Sequence, residues 1–248
     1  IYRLATCVST NDVAKRLAEE GAEDGTVVIA GEQTGGRGTK GRGWHSARGL
    51  GLYASVILRP RRRDIALVPA AAGVAAAQAI RRAAGVRVRL KWPNDLVWRG
   101  RKIGGILTES AFRGPEAVHV VVGLGLNLSH GPLDFPEDVR PRAVSLRLAA
   151  KRPPDAAKLE AALWASLDAW RTAWETGRDE QIIRAFEARL TFPVGAEIIV
   201  EREDGSFAGT LRGLDTEARL VVESEGRRVR FSPAEVIGIK GYDNSPKM

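Results

Sequence analysis

Cysteine is nearly absent: Cys7 stands alone in 248 residues. A single thiol forms no internal disulfide and builds no thiolate zinc site, which excludes disulfide scaffolds and points to a reducing, cytoplasmic setting. Histidine is scarce as well. His45, His119 and His130 lie far apart in the sequence, so no metal-ligating set is expected. Long apolar runs are missing too. The longest, Ala66 to Ile80, is mostly alanine and contains Pro69 and Gly73. It falls short of the roughly 20 residues that a bilayer span needs and reads as a buried helix. No charged-then-apolar leader begins the chain, so neither export nor a membrane partner is expected. At 44% hydrophobic and 27% charged, the composition excludes disorder and collagen, and the length suits one large domain plus a small one.

What is abundant is positive charge, unevenly placed. Of the formal +8, residues 1–192 carry +10 and residues 193–243 carry −3, with Lys247 adding one. A basic main region attracts anions: nucleotides, nucleic acid or an acidic protein partner. Thirty of the 38 basic residues are arginine, so the few lysines single themselves out.

Ser9-Thr10-Asn11-Asp12 reads as an N-cap for a helix over Val13 to Glu20. Strands are predicted over Thr26–Ala30 and Leu52–Leu58, the latter stopped by Pro60 and Arg61 to Arg63. Asp64 is placed to cap the alanine-rich helix and Gly85 to end it. From Val86 to Lys91 apolar and basic residues alternate, the period of a strand, which puts Lys91 on a polar face. Leu96–Trp98 and Ile103–Thr108 form a predicted hairpin, and Ala117–Leu124 a further strand. Strands and helices mix without strict βαβ order, so the expected class is α+β, a mixed sheet with helices packed on it. Over Asp155–Trp174 the spacing of Leu159, Leu163, Leu167, Trp170 and Trp174 predicts a helix with a core-facing stripe, a tryptophan cofactor box being the sharper alternative. A second helix is expected over Asp179–Leu190. Beyond residue 192 five short β-rich runs (197–201, 210–214, 220–223, 227–231 and 236–240) separated by Gly and Asp turns suggest a small barrel. Charge and periodicity change together there, which sets the expected domains at 1–192 and 193–243, with a tail at 244–248.

Three segments carry chemistry. Gly35 to Trp44 holds five glycines, Arg37, Lys40 and Arg42. Glycines let backbone N–H groups approach an anion, and the cations neutralise phosphate or carboxylate. The same composition also fits a mobile surface turn or an Arg/Gly nucleic-acid segment, although Trp44 offers a stacking surface that a plain loop does not need. The loop matches neither a P-loop nor a Rossmann fingerprint. Second, Lys91-Trp92-Pro93-Asn94-Asp95 ends a strand and is followed by Lys102 and Gly104-Gly105. Lysine, amide and carboxylate clustered at a strand end bind a charged substrate; otherwise they are solvated hairpin ends. Third, Gly123-Leu124-Gly125-Leu126-Asn127 is a glycine-broken strand end whose asparagine could read a base edge.

Taken together and in this order, Ser9-Thr10-Asn11, Gln33, GRGTKGRGW at 36–44, KWPND at 91–95, KIGGILTE at 102–109 and GLGLN at 123–127 resemble the biotin-protein ligase family. The resemblance spans most of residues 1–192. It implies a class II synthetase-like catalytic domain followed by an SH3-like barrel. It also implies a two-step reaction, in which ATP with Mg²⁺ and biotin give biotinyl-5′-adenylate, and biotin then passes to a lysine of a biotin carboxyl carrier protein. By the same resemblance Ser9, Thr10, Asn11 and Gln33 hold the biotin rings, and Arg37, Gly38 and Thr39 close over biotin and adenylate. Lys102, backed by Gly104 and Gly105, meets the carboxylate and α-phosphate. Lys91, Asn94 and Asp95 line the nucleotide and acceptor side; Lys40, Arg42 and Trp44 add to the nucleotide side, and Asn127 meets adenine. Catalytic roles then fall to Lys102, Asp95, Arg37 and Lys91. The neutral Thr39 departs from bacterial relatives that have a basic residue there.

Some relatives carry an N-terminal helix-turn-helix. Here the Ser9 motif begins almost at once, so DNA is not an expected partner. A homodimer is compatible with the sequence. Two rival readings remain: a lipoate ligase or octanoyltransferase, with Cys7 the sole candidate nucleophile, and a non-enzymatic nucleic-acid binder, which lacks an interleaved aromatic platform.

Overall fold

The computed structural model describes residues 1–241. The expected tail, 244–248, and the last two residues of the expected barrel lie outside them. Seven strands form the first sheet: β1 (Tyr2–Leu4), β2 (Val27–Ala30), β3 (Gly51–Leu58), β4 (Arg89–Lys91), β5 (Asp95–Trp98), β6 (Arg101–Arg113) and β7 (Glu116–Asn127). Their order is β1-β2-β3-β7-β6-β5-β4. β1 pairs parallel with β2 and all other neighbours are antiparallel, the mixed sheet that the absence of βαβ alternation predicts. β4 is shorter than expected because Val86 and Val88 bury their side chains without joining the ladder. Its outer edge is covered, Leu90 exchanging hydrogen bonds with Arg189 and Thr191.

Alternation along the strands sends successive residues to opposite faces. On one face Val28, Ile57 and Val121 pack under Ala14 and Ala18 of α1 (Thr10–Glu19). On the other, Val56, Leu58, Val122 and Leu124 join the main core with α2 (Val68–Ala84) and, after the short α3 (Leu146–Ala150), α4 (Ala156–Glu175). The small residues of α2 admit close neighbours; Gly73 lies under Leu90 and Phe186. Gly85, at φ 72°, ends α2 as expected, but Leu67 occupies its N-cap position and Asp64 instead accepts from the N–H of Ala66 at 2.9 Å. The α4 stripe is core packing: Leu159, Leu163 and Trp174 are buried, and Trp170 donates to Gln78 at 3.0 Å. The last helix, α5 (Asp179–Glu187), stops three residues short of the expected end.

A second, wholly antiparallel sheet follows: β8 (Glu197–Arg202), β9 (Gly205–Leu214), β10 (Leu220–Ser224), β11 (Arg227–Phe231) and β12 (Val236–Gly241), in the order β11-β10-β9-β8-β12. β9 begins earlier than its β-rich run because Phe207 pairs with Val200. Ile198, Val200, Leu211, Val222 and Phe231 belong to the same continuous core as the first sheet. Three polar contacts tie the sheets together: the Leu214 N–H donates to Glu187, the Trp92 indole to the Ala218 carbonyl, and Lys40 to the entry of β12.

Candidate active site

Among the cavities of the described residues, two adjoin the first sheet. One, of about 230 Å³, lies on the core face among Val27, Val56, Val122, Trp164 and Trp170. Its charged rim residues Asp168 and Arg171 are ion-paired with each other, so it presents little chemistry. The other is a polar cleft beyond the N-terminus of α1, on the opposite face. Space for it comes from glycine. A Cβ on Gly125 would stand 2.6 Å from the Trp44 ring, and one on Gly123 would collide with the Asn11 amide. Neither glycine has a positive φ; each is needed for room rather than for backbone freedom.

Ser9, Thr10 and Asn11 are each only 3% exposed, and the last two are cross-linked. The Gln33 Oε1 accepts from the Thr10 N–H at 2.8 Å and from its hydroxyl at 3.0 Å, while Gln33 Nε2 donates to Ser46 at 2.9 Å. Ser55 lies within hydrogen-bond distance of the Thr10 hydroxyl (2.8 Å) and the Asn11 carbonyl oxygen (2.6 Å), and Asn11 donates to Glu109 at 2.7 Å. The helix starts at Thr10, three residues before the expected Val13, so that Ser9 takes the N-cap position, where it makes no capping bond; the Gln33 amide satisfies a first-turn N–H in its place. A buried polar cradle so fully bonded holds its shape.

Beside it Arg37 joins a four-member charge network whose other members, Asp12, Lys15 and Glu109, the sequence did not single out as site residues. Arg37 donates both terminal nitrogens to Asp12, at 2.7 and 2.6 Å, and lies 3.6 Å from Glu109. Lys15 meets Glu109 at 2.8 Å and Asp12 at 3.1 Å. The hydrogen bond from Arg37 holds the Asp12 carboxyl down at about 2. Burial would raise Glu109, but bonds from Lys15 and Asn11 lower it overall. Asp12 and Lys15 are three apart on α1, a spacing that signals a surface pair; that Arg37 joins them depends on the loop's path.

The glycine loop closes as a tight hairpin, Gly38 N–H to the Arg42 carbonyl at 2.7 Å and Trp44 N–H to the Gly36 carbonyl at 2.8 Å. Arg37, Gly38, Thr39 and Trp44 line the cleft. Two expected nucleotide contacts do not. Arg42 is exposed and bonds back to Thr39, while Lys40 donates to the Ala234 and Val236 carbonyls at 3.1 and 2.8 Å. Trp44 carries a buried indole N–H without a partner among the described residues.

On the facing wall Lys102 lies across Gly105, 2.5 Å from Asp95 and 5.3 Å from the Trp44 ring centroid. Asn94 borders the cleft and donates to the Ile106 carbonyl at 2.7 Å. Lys91 pairs with Asp95 across the β4–β5 ladder and forms no ion pair among the described residues, but it does not line the cleft. Gly104 packs inward, where a Cβ would meet the Gly125 carbonyl at 2.9 Å, so Gly105 alone serves the cleft. Asn127, expected at adenine, is buried and bonded to the Val144 and Lys102 carbonyls at 3.2 and 3.4 Å; its amide ties the end of β7 to the chain before α3. The cleft thus sets two cations, Arg37 and Lys102, each paired with a carboxylate, over a rigid uncharged cradle, an arrangement suited to a small anion.

The model of the biotin/lipoate A/B protein ligase family matches residues 4–127. The bifunctional ligase/repressor BirA of Bacillus subtilis (strain 168) is 34% identical over 230 residues, covering 90% of this chain and 70% of the relative. The biotin-(acetyl-CoA-carboxylase) ligase of Mycobacterium tuberculosis is 33% identical over 245 residues, 94% of this chain and 86% of the relative. Among solved structures, the biotin protein ligase of Aquifex aeolicus in complex with biotin and ATP superposes with a TM-score of 0.82 at 24% identity, covering 97% and 98% of the two chains. The chain belongs to the biotin/lipoate A/B protein ligase family.

Proposed function

We propose that this chain is an ATP-dependent biotin-protein ligase acting on the carrier protein of acetyl-CoA carboxylase. The observation that carries the reading is the convergence of Arg37 and Lys102 on one cleft beside the Thr10–Gln33–Asn11 cradle; the names of the relatives support it. Residues 1–192 serve as the catalytic domain and 193–243 as a small SH3-like one, in the cytoplasm. No helix among the described residues is long and apolar enough to cross a membrane.

In the first step a biotin carboxylate oxygen attacks the α-phosphorus of ATP and pyrophosphate leaves. Carboxylate and triphosphate repel each other. Lys102, held by Asp95 against Trp44, offsets that repulsion from one wall and Arg37 from the other. Mg²⁺ arrives with the nucleotide as part of the substrate. The ureido ring fits the Thr10, Asn11 and Gln33 cradle, and the unpartnered Trp44 N–H offers a donor at the nucleotide side. Arg37 enters the step already paired with Asp12, so its bidentate grip is shared with or passed to the substrate anion.

In the second step the acceptor lysine nitrogen attacks the acyl carbon, AMP leaves and the ammonium proton is lost. Near pH 7 the neutral amine lies about 4 to 5 kcal/mol above the ammonium, given a pKa of about 10.4. An ionised Asp95 stabilises the ammonium, so its role is to orient the acceptor, with proton removal secondary. The octanoyltransferase reading loses support at Cys7, whose thiol is pushed up by burial and by the Asp12 charge, away from a reactive thiolate. The nucleic-acid reading loses Lys40 and Arg42, both engaged within the protein.

Mass spectrometry of a carrier domain after incubation with the protein, ATP, Mg²⁺ and biotin tests the proposal. One biotinyl group is expected on one lysine, and none without ATP. Modification with lipoate but not biotin would overturn it.

A further inference from the structure

Both sequence segments that wall the cleft reach the second sheet through a side-chain donor. In the KWPND turn, the buried Trp92 donates its indole N–H to the Ala218 carbonyl at 2.9 Å, in the turn between β9 and β10. In the glycine loop, Lys40 donates to the carbonyls of Ala234 at 3.1 Å and Val236 at 2.8 Å. The first wall is also strapped by the Leu90–Leu190 bridge. Among the described residues the loop is tied to α1 and the chain just before it only at its start, where Gly35 bonds to Val8 and Arg37 to Asp12, and Lys40 is what holds its tip. Between Gly35 and Gly43 five of nine residues are glycine, which leaves an unrestrained loop many conformations.

Lys40 occupies the left-handed region, φ 57° and ψ 36°, which costs a residue with a Cβ energy that glycine would not incur. A neighbouring glycine could have taken that corner cheaply. What the lysine adds is an ammonium reaching 194 and 196 residues along the chain. A compact ammonium with three donors suits two carbonyls converging from one strand entry.

We propose that Lys40 is a positioning residue that latches the loop to the second sheet, so that Arg37, Gly38 and Thr39 stand ready at the cleft, and that the second sheet acts on the reaction through this latch. Its kinetic part rests on the ligase reading; its structural part does not. Without the latch the loop spends only a fraction of its time in place, and apparent affinity falls by that fraction.

The test is Lys40→Met, which keeps side-chain length and removes the donor. In the ligand-free full-length protein, hydrogen exchange of amides in both 36–43 and 234–237 should rise, with the melting midpoint unchanged. In biotin-dependent pyrophosphate release, KM for ATP should rise about tenfold with kcat within about twofold, as expected when only the competent fraction changes. Unchanged exchange in both segments overturns the proposal. So does a raised KM with unchanged exchange, which would make Lys40 a direct nucleotide contact. If the wild-type protein releases no pyrophosphate, the ligase reading fails while the exchange result still decides the latch.

Discussion

The two faces of the seven-stranded sheet are built from the same strands and do opposite work. On β3 and β7, Val56, Val122 and Leu124 face α2 and α4 and are all but sealed from solvent. The intervening residues on the other face are Ser55, Gly123 and Gly125, which open the polar cleft. The larger cavity is on the core face, yet the converging polar groups are on the other. Cavity size and converging polar groups thus fall on opposite faces, and small residues at every second position, backed by a rigid apolar face, make the room for the polar ones.

The largest effect should come from the cleft face. If the proposed reaction holds, Lys102→Ala removes a cation that offsets the charge of the reacting anions, and adenylate formation should fall on the order of 100- to 1000-fold with little change in melting. Undiminished pyrophosphate release would end the contrast. On the core face Leu163, 0% exposed, should do the reverse. Leu163→Ala should cost roughly 2 to 5 kcal/mol in urea unfolding while leaving KM for biotin unchanged; a raised KM with intact stability would show that the faces are not separable.

His130 sharpens the comparison at the end of β7. It is 0% exposed and stacked on Phe135 at 4.7 Å. Burial, reinforced by His45, lowers its pKa from 6.5 to about 4. The unfolded chain therefore takes up the proton first as pH falls, and stability drops between about 6.5 and 4, by about 3 kcal/mol at 1.36 per pH unit. Above 6.5 this group leaves stability unaffected. His130→Phe should flatten that part of the stability-pH curve, and an unaltered slope in denaturant titrations would contradict the assignment. The smallest effect belongs to neither face. Arg184 and Glu180 are 79% and 81% exposed, and Arg184→Ala should melt with the wild type, since solvent screens such pairs; a measurable loss would mean that surface pairs matter here.

Much of this was legible from residue order. The alternation over 86–91 put Lys91 on a polar face, the α4 stripe proved to be packing, and the glycine, KWPND and GLGLN segments do meet around one cleft, except that Lys91, Asn127, Gly104, Lys40 and Arg42 do not line it. Four of these five share a reason. The direction each residue faces is set by a partner distant in sequence or by the loop's own closure: Val144 for Asn127, Gly125 for Gly104, β12 for Lys40, Thr39 for Arg42. The Asp12–Lys15–Glu109–Arg37 network went unread for the same cause, because α1, β6 and the loop become neighbours only when folded.

By itself, then, the order of residues settled what is local: the period of each strand and helix, the glycines without which no cleft has room, and the family to which the motifs belong. Which of two lysines eleven residues apart, Lys91 or Lys102, enters the cleft was decided by the bulge between β5 and β6 and by the lie of Lys102 across Gly105. Backbone preference acts over a few residues, whereas a charged side chain takes its direction from the nearest partner in space, and only the folded chain supplies that partner.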